Sequence, residues 1–403
     1  MSLQSDPRVR FLTLLGRALH GYGIPSHRLE AALGNAARRL GIQAEFLSTP
    51  TSLISSFGDA GDQYLTLARV HPGSLQLDKL VALDDVVESL YRGDLSVEDA
   101  DRRLRAIVER PARYAAWAHI LAFAVASSSA AAFFGGGWPD MAAAFGLGLV
   151  GGVLGWAAGR WEAMGRTYEF LFTFLAAFGA AALARLAGPL NVATVIIGSI
   201  VVLLPGLTLT LALNELGTGH LVAGTARLTG SLMTFLQIGL GVGLGTRLGH
   251  ALPGAVITGA TEPVRGELIS LLLLVTALAL TVLFRARPRE IPWLMGGALL
   301  AFWGARGGVV LLGAGLGAGV GALLVGLAGN LYARFRRRPA VVVIVPSIIV
   351  LVPGSIGYRS FEFMLEKDVL SGVDSAFTAL LVGCSLVAGL LLANVVVPPR
   401  NAL

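Results

Sequence analysis

Two apolar segments of membrane length are each interrupted by the same Pro-Gly pair. Leu203-Leu204-Pro205-Gly206 recurs as Leu351-Val352-Pro353-Gly354. The correspondence runs on downstream: Gly224 pairs with Gly372 and Gly241 with Gly389, and 353 − 205 = 372 − 224 = 389 − 241 = 148. Proline has no N–H and its ring clashes with the preceding turn, so it breaks or kinks a helix. In lipid the freed backbone groups must be buried in protein or face a water-filled cavity. Interrupted segments at matching positions of two halves point to a transporter's binding site.

The rest of the composition agrees with a membrane chain. Apolar residues make up 55% and charged residues 14%, against roughly 25% charged in a soluble domain. The deficit lies after about residue 113. The expectation is a polytopic membrane protein with a soluble head over 1–112. The 52 glycines suit membrane helices that pack backbone to backbone. With Cys384 alone, no disulfide can form within the chain. The net charge of +6 reads as basic loops at a membrane surface, not as a nucleic-acid footprint. Met1 to Arg10 has no long apolar core followed by a small-residue cleavage site, so the head is expected in the cytoplasm.

Within the head, Leu12, Leu15, Leu19, Leu29 and Leu33 form an apolar stripe interrupted at Gly21-Tyr22-Gly23-Ile24-Pro25, so two helices are expected. Strands follow at 44–48, 52–57 and 64–70, then amphipathic helices at 78–91 and 96–109, the last capped by Ser96. The head is a small α+β unit. His20, His27, Glu30, Asp59, Asp62 and His71 match no zinc spacing, and no Walker, Rossmann or nucleophile-elbow motif is present. Surface or capping roles are expected for them, with no cofactor, no metal and no enzyme activity.

Ten spans are expected after the head: 114–134, 139–159, 167–187, 190–213, 222–248, 266–285, 291–306, 308–332, 340–357 and 374–397. Arginines concentrate at the head junction and in the loops near 160–166, 285–289 and 334–338, which puts both termini inside. The fourth and ninth spans then lie five crossings apart and run in opposite senses. That is a 5+5 inverted repeat, with modules at 113–250 and 251–403, the arrangement of alternating-access carriers. Four-residue glycine spacings (Gly148/Gly152, Gly241/Gly245/Gly249, Gly313/Gly317/Gly321) serve close packing within the chain or a homo-oligomer contact.

Polar groups cluster after the first break: Thr208, Asn214, Glu215 and then Arg227. An ionisable residue inside the bilayer costs at least about 2.5–3.5 kcal/mol, so it is kept for a pathway, a pair or a proton relay. Glu215 and Arg227 either pair across their turn or sit hydrated at the cytoplasmic interface. After the second break, Ser355 and Arg359 lead into the amphipathic stretch 358–368, expected in the outer interface plane. There Arg359, Glu362, Glu366 and Asp374 form an outer gate or a plain solvated face. Gln237 and Asn394 read as helix-to-helix hydrogen bonders.

Two groups of motifs resemble the threonine/serine exporter family in its fused two-module form. In the head they are Leu19-His20-x-Tyr22-Gly23-x-Pro25-x-His27-Arg28-x-Glu30, Arg69-Val70-His71-Pro72-Gly73 and Gly93-Asp94-Leu95-Ser96. In the membrane part they are Leu204-Pro205-Gly206 through Glu215, Gly224-Thr225-Ala226-Arg227-Leu228 and Leu351-Val352-Pro353-Gly354-Ser355. The resemblance implies an inner-membrane secondary carrier that exports small hydroxy amino acids on the proton gradient. Split relatives resemble dicarboxylate exporters. A channel-like or scaffolding protein with a ligand-sensing head is the alternative of another class. The candidate site residues are Pro205, Gly206, Thr208, Asn214, Glu215, Arg227, Pro353, Gly354, Ser355 and Arg359. The expected partners are a small-molecule substrate, protons and the lipid bilayer.

Overall fold

The computed structural model describes residues 6–399 except 60, 62, 72, 187, 254–258, 260, 352–353 and 366–367. Pro353 and Glu366 therefore lie outside the described residues. The head runs α1 (Pro7–Gly21), α2 (Ser26–Arg39), β1 (Ala44–Thr49), β2 (Ser52–Phe57), β3 (Tyr64–Arg69), α3 (Leu77–Tyr91) and α4 (Val97–Glu109). The strands form one antiparallel sheet in the order β1-β2-β3, with Leu47 opposite Ile54 and Leu65 opposite Ser56. Their period of two turns Leu53 and Phe57 into the core beneath α1 and α2. Ser96 caps α4 by accepting from the Asp99 N–H.

Twelve helices follow: α5 (Ala116–Phe133), α6 (Trp138–Ala158), α7 (Glu162–Leu186), α8 (Val192–Ile200), α9 (Gly206–Gly217), α10 (Leu221–His250), α11 (Gly266–Leu283), α12 (Ile291–Leu312), α13 (Ala314–Arg336), α14 (Val341–Ile349), α15 (Gly354–Leu365) and α16 (Val369–Val396). Among the described residues, nine apolar segments are long enough to cross a bilayer, and the bent pair α8–α9 makes a tenth. Their outward faces carry large exposed apolar side chains such as Leu240, Val310 and Leu370, as expected of a surface that does not face water.

Two boundaries differ from expectation. The seventh and eighth spans part at Gly313, not at Arg306-Gly307-Gly308. Gly313 takes φ +84°, while Gly308 stays helical because its missing side chain admits the Gly317 carbonyl of α13. Residues 358–365 are also not a separate helix in the interface plane. They belong to α15, which spans Gly354–Leu365 and packs against α9, α10 and α16. Tyr358 and Ser360 are buried there, and Ser360 donates to the Gly372 carbonyl at 2.6 Å.

The 148-residue spacing extends from motif to architecture. Starts of α8 and α14 differ by 341 − 192 = 149, of α9 and α15 by 354 − 206 = 148, and of α10 and α16 by 369 − 221 = 148. The matched glycines do the same job in each half. A Cβ on Gly241 would fall 2.6 Å from the Phe170 carbonyl of α7, and one on Gly389 would fall on the Gly319 carbonyl of α13. Each lets the last helix of its half close on the third. The other glycine spacings also meet this chain's own helices, Gly148 on Ala124 and Gly317 on Val309. Asn394 is helix glue as expected, accepting from Asn330 at 2.9 Å.

The head is joined to the membrane half by a shared core. Ala286, Leu294, Tyr332 and Val341 to Val343 pack into the same apolar cluster as Leu12, Leu19 and Leu83. Backbone bonds fix the join: Leu77 N–H donates to the Phe284 carbonyl at 3.0 Å, and Tyr114 O–H to that of Ala286 at 2.7 Å. So α5 leaves the head at its first residue, and α11 returns to it at its last.

Candidate functional site

The first break follows from local chemistry. Pro205 cannot donate, and the residue before a proline is pushed out of the helical region. Leu204 accordingly takes φ −60°, ψ 125°, and α8 and α9 meet at 53°. The second break comes to the same place. A Cβ on Gly354 would lie 3.0 Å from Leu204 Cβ and 3.4 Å from the N and Cα of Gly206. The helix N-termini of α9 and α15 therefore converge, each with its unpaired N–H groups and about half a positive charge. Pro205, Gly206 and Gly354 are buried, and Thr208 and Ser355 place half-buried hydroxyls on the first turns of α9 and α15. Of the two settings expected for the freed backbone groups, protein or a water-filled cavity, the crossing takes the first: the breaks rest on one another, because glycine on both sides allows backbone contact.

Besides packing on the last helix of its own half, each short helix also packs across to the other half. α9 packs on α16 of the other half, and α15 packs on α10. Gly357 of α15 faces the Phe235 ring, and Gly217 of α9 faces Val387.

At the far end of α9 the expected ion pair is present. Arg227 Nε lies 2.9 Å from Glu215 Oε2, with the Glu215 side chain fully buried and that of Arg227 at 13% exposure. The N–H is not aimed along this line, so the contact is an ion pair and not a hydrogen bond. Gly224 makes the approach feasible, since a Cβ there would collide with Leu216 and with the Ala212 carbonyl. The hydrated alternative for Glu215 is thus excluded by its burial.

The head supplies the second partner. α2 begins after Pro25, which gives no side-chain cap. Its first N–H, that of Ser26, is taken by Glu215 Oε1 at 2.9 Å. Glu215 is the N-cap of a helix 189 residues upstream, and its charge suits both that helix end and Arg227. Around it, His220 Nε2 stands 3.2 Å from Glu30 Oε2, and the His27 and His220 rings are 5.9 Å apart. Glu30 also accepts from the Ser48 N–H. His27 is pushed down to about 4, first by burial and then by the charges of Arg28, His220 and Arg227. Burial likewise lowers His20, whose Nε2 meets the Thr49 carbonyl at 2.9 Å.

Of the residues singled out from sequence, Pro205, Gly206, Thr208, Gly354 and Ser355 gather at the crossing of the breaks. Glu215 and Arg227 form the junction with the head, with half-buried Asn214 beside them. Arg359 stands exposed on α15 and joins neither group. Ser26, His27, Glu30 and His220 were missed as site residues. Glu30 and His27 were given surface or capping roles, and only their density around Pro25 hinted at more. Asp140 was also missed. Fully buried, it accepts from the Asn191 N–H at 2.8 Å, from the Gly137 N–H at 3.0 Å and from the Thr261 hydroxyl. Its signal was an acid just after Gly137-Trp138-Pro139, a helix-start pattern.

Comparison with known proteins follows this division. Residues 10–249 match the family described as a threonine/serine exporter, and residues 270–396 match a second profile, described as Threonine/Serine exporter, ThrE. Among curated relatives, the pheromone-regulated membrane protein 10 of Eremothecium gossypii is 30% identical over 92% of this chain and 50% of its own length. That of Pichia sorbitophila is 29% identical over 92% of this chain and 38% of its own length. The chain thus spans half or less of these relatives. No solved structure matches it. Profiles covering both membrane halves and most of the head establish that the chain belongs to the threonine/serine exporter family, a family of membrane proteins.

Proposed function

We propose that the chain is a secondary carrier exporting small hydroxy amino acids, threonine and serine first, across the inner membrane with both termini in the cytoplasm. The single observation that carries this is the contact between the two breaks. Two positive helix ends meet inside the protein, and a substrate carboxylate is the natural charge to place between them. The C-terminal ends of α8 and α14 lead into the same breaks and present carbonyls to an ammonium group. That pairing favours a zwitterion over the dicarboxylate of the split relatives. The hydroxyls of Thr208 and Ser355 suit a hydroxylated side chain.

The two halves are read as a 5+5 inverted repeat. Its support is the 148-residue recurrence of elements and the opposite relation of α5 and α11 to the head. The packing of α9 and α15 across to the other half couples the halves, so rocking one against the other opens the breaks to either side. The buried breaks then correspond to an occluded state. Glu215 is the head-side gate. Its charge holds both Arg227 and the start of α2, and protonation removes that hold, which links a proton to opening.

Counterflow in proteoliposomes tests the reading. Preloaded unlabelled threonine should accelerate uptake of labelled threonine, whereas a pore or scaffold gives no acceleration. Glu215→Gln should abolish the pH dependence of transport and slow it at least about tenfold, the loss of roughly 1.4 kcal/mol. Unchanged rate and pH profile would remove Glu215 from the mechanism.

A further inference from the structure

Where α11, α13 and the head come together, a cavity of about 620 Å³ is lined by five arginines: Arg113, Arg287, Arg289, Arg336 and Arg338. Glu290 is the one acid in its wall, and its carboxylate is already engaged by the Tyr332 hydroxyl. Head carboxylates occupy three of the cations. Arg113 lies 3.3 Å from Asp78, and Arg287 and Arg338 share Asp85. Arg289 and Arg336 have no carboxylate within salt-bridge reach among the described residues. Like charges at this density repel unless an anion is added. Burial and the neighbouring Arg338 and Arg113 both depress Arg287.

The position of the cavity limits what that anion is. Phe335, in its wall, is 80% exposed, and Trp293, in the first turn of α12, is also exposed and meets the Tyr332 ring at a tilt, centroids 5.1 Å apart. Trp117, one turn into α5 after Arg113, is exposed as well. Aromatic side chains at helix ends mark the level of lipid headgroups. Arginine forks match phosphate oxygens bidentately.

We propose that this cavity binds a phosphate group at the head side of the membrane, carried by an anionic phospholipid whose acyl chains lie along α12 and α13. The lipid thereby ties the head to the second half. The alternative source of the same chemistry is a soluble phosphate.

Native mass spectrometry of the full delipidated chain separates these cases by titration with phosphatidylglycerol, phosphatidylcholine and inorganic phosphate. Phosphatidylglycerol should bind more tightly than phosphatidylcholine. Arg289→Gln with Arg336→Gln should weaken it about 30-fold, near fivefold per exposed arginine. Among the described residues neither side chain has a carboxylate within salt-bridge reach, so their loss leaves no buried carboxylate stranded. Arg166→Gln, in the first turns of α7 and away from the cavity, should leave binding unchanged. Displacement of phosphatidylglycerol by inorganic phosphate assigns the site to a soluble anion, and resistance to it assigns the site to lipid. Equal binding of the two lipids, equal binding by the double variant, or an equal loss in Arg166→Gln would overturn the site.

Discussion

Glu215 shows how one side chain can serve two structures. Its two oxygens are divided between Arg227 of α10 and the first N–H of α2, so membrane half and head compete for a single charge. A buried pair is expensive to break on one side only, because the survivor keeps its charge without water. Arg227→Met should therefore destabilise the protein by about 3–5 kcal/mol, and adding Glu215→Gln should recover most of that loss. Thermal unfolding in detergent reads both; equal stability of single and double variants would contradict the pairing. His27 adds a pH dependence with a definite sign. Burial, then the charges of Arg28, His220 and Arg227, bring it from 6.5 to about 4 in the folded protein, so the unfolded state takes up the proton first. The stability this adds is whole above pH 6.5 and is lost as pH falls through about 4. Hydrogen exchange at α2 should quicken over that window, and His27→Gln should flatten the change. The Glu215–Arg227 pair was legible in sequence, since both charges stand in apolar surroundings a helical hairpin apart. Ser26 was not, because a backbone N–H has no sequence signature and its partner is 189 residues away.

At the scale of elements, the breaks govern what the halves can do. Pro205 and the recurring Gly206/Gly354 were readable because they violate helix rules in membrane-length segments. The nature of α15 was not. Its charged residues suggested an interfacial helix, but periodicity cannot tell lipid headgroups from a polar seam between helices. The 148-residue offset was the better guide, since α9 already had the same length and position. The contact at Gly354 is equally specific. A side chain there must displace Leu204 or Gly206. Gly354→Leu should cost about 1–3 kcal/mol by overpacking, yet abolish counterflow, because it wedges the two half-helices apart. Gly354→Ala should transport at a reduced rate. If Gly354→Leu transported normally, the breaks would not need to touch, and the substrate would have to bind elsewhere.

At the scale of the molecule, the joins to the head bear on the sense in which the second half runs. α5 begins at the head and α11 ends there, joined through Tyr114 to Ala286 and Leu77 to Phe284. On the proposed 5+5 inverted repeat, with five crossings in each half, corresponding loops fall on opposite faces. Asp140 and Glu290 illustrate the consequence: each is a buried acid at the start of its half's second helix, but only Glu290 lies against the arginine cavity beside the head. The loops after α6 and α11 should therefore share the head's face, and the loop after α10 should not. Replacing exposed Cys384 by Ser gives a background for single cysteines at Arg166, Arg289 and Thr261. In intact cells a membrane-impermeant maleimide should label Thr261→Cys alone, and in everted vesicles Arg166→Cys and Arg289→Cys. Labelling of Thr261→Cys and Arg289→Cys from the same side would leave the halves parallel. The two breaks would then approach the centre from one direction, and rocking one half could not exchange the side to which they open.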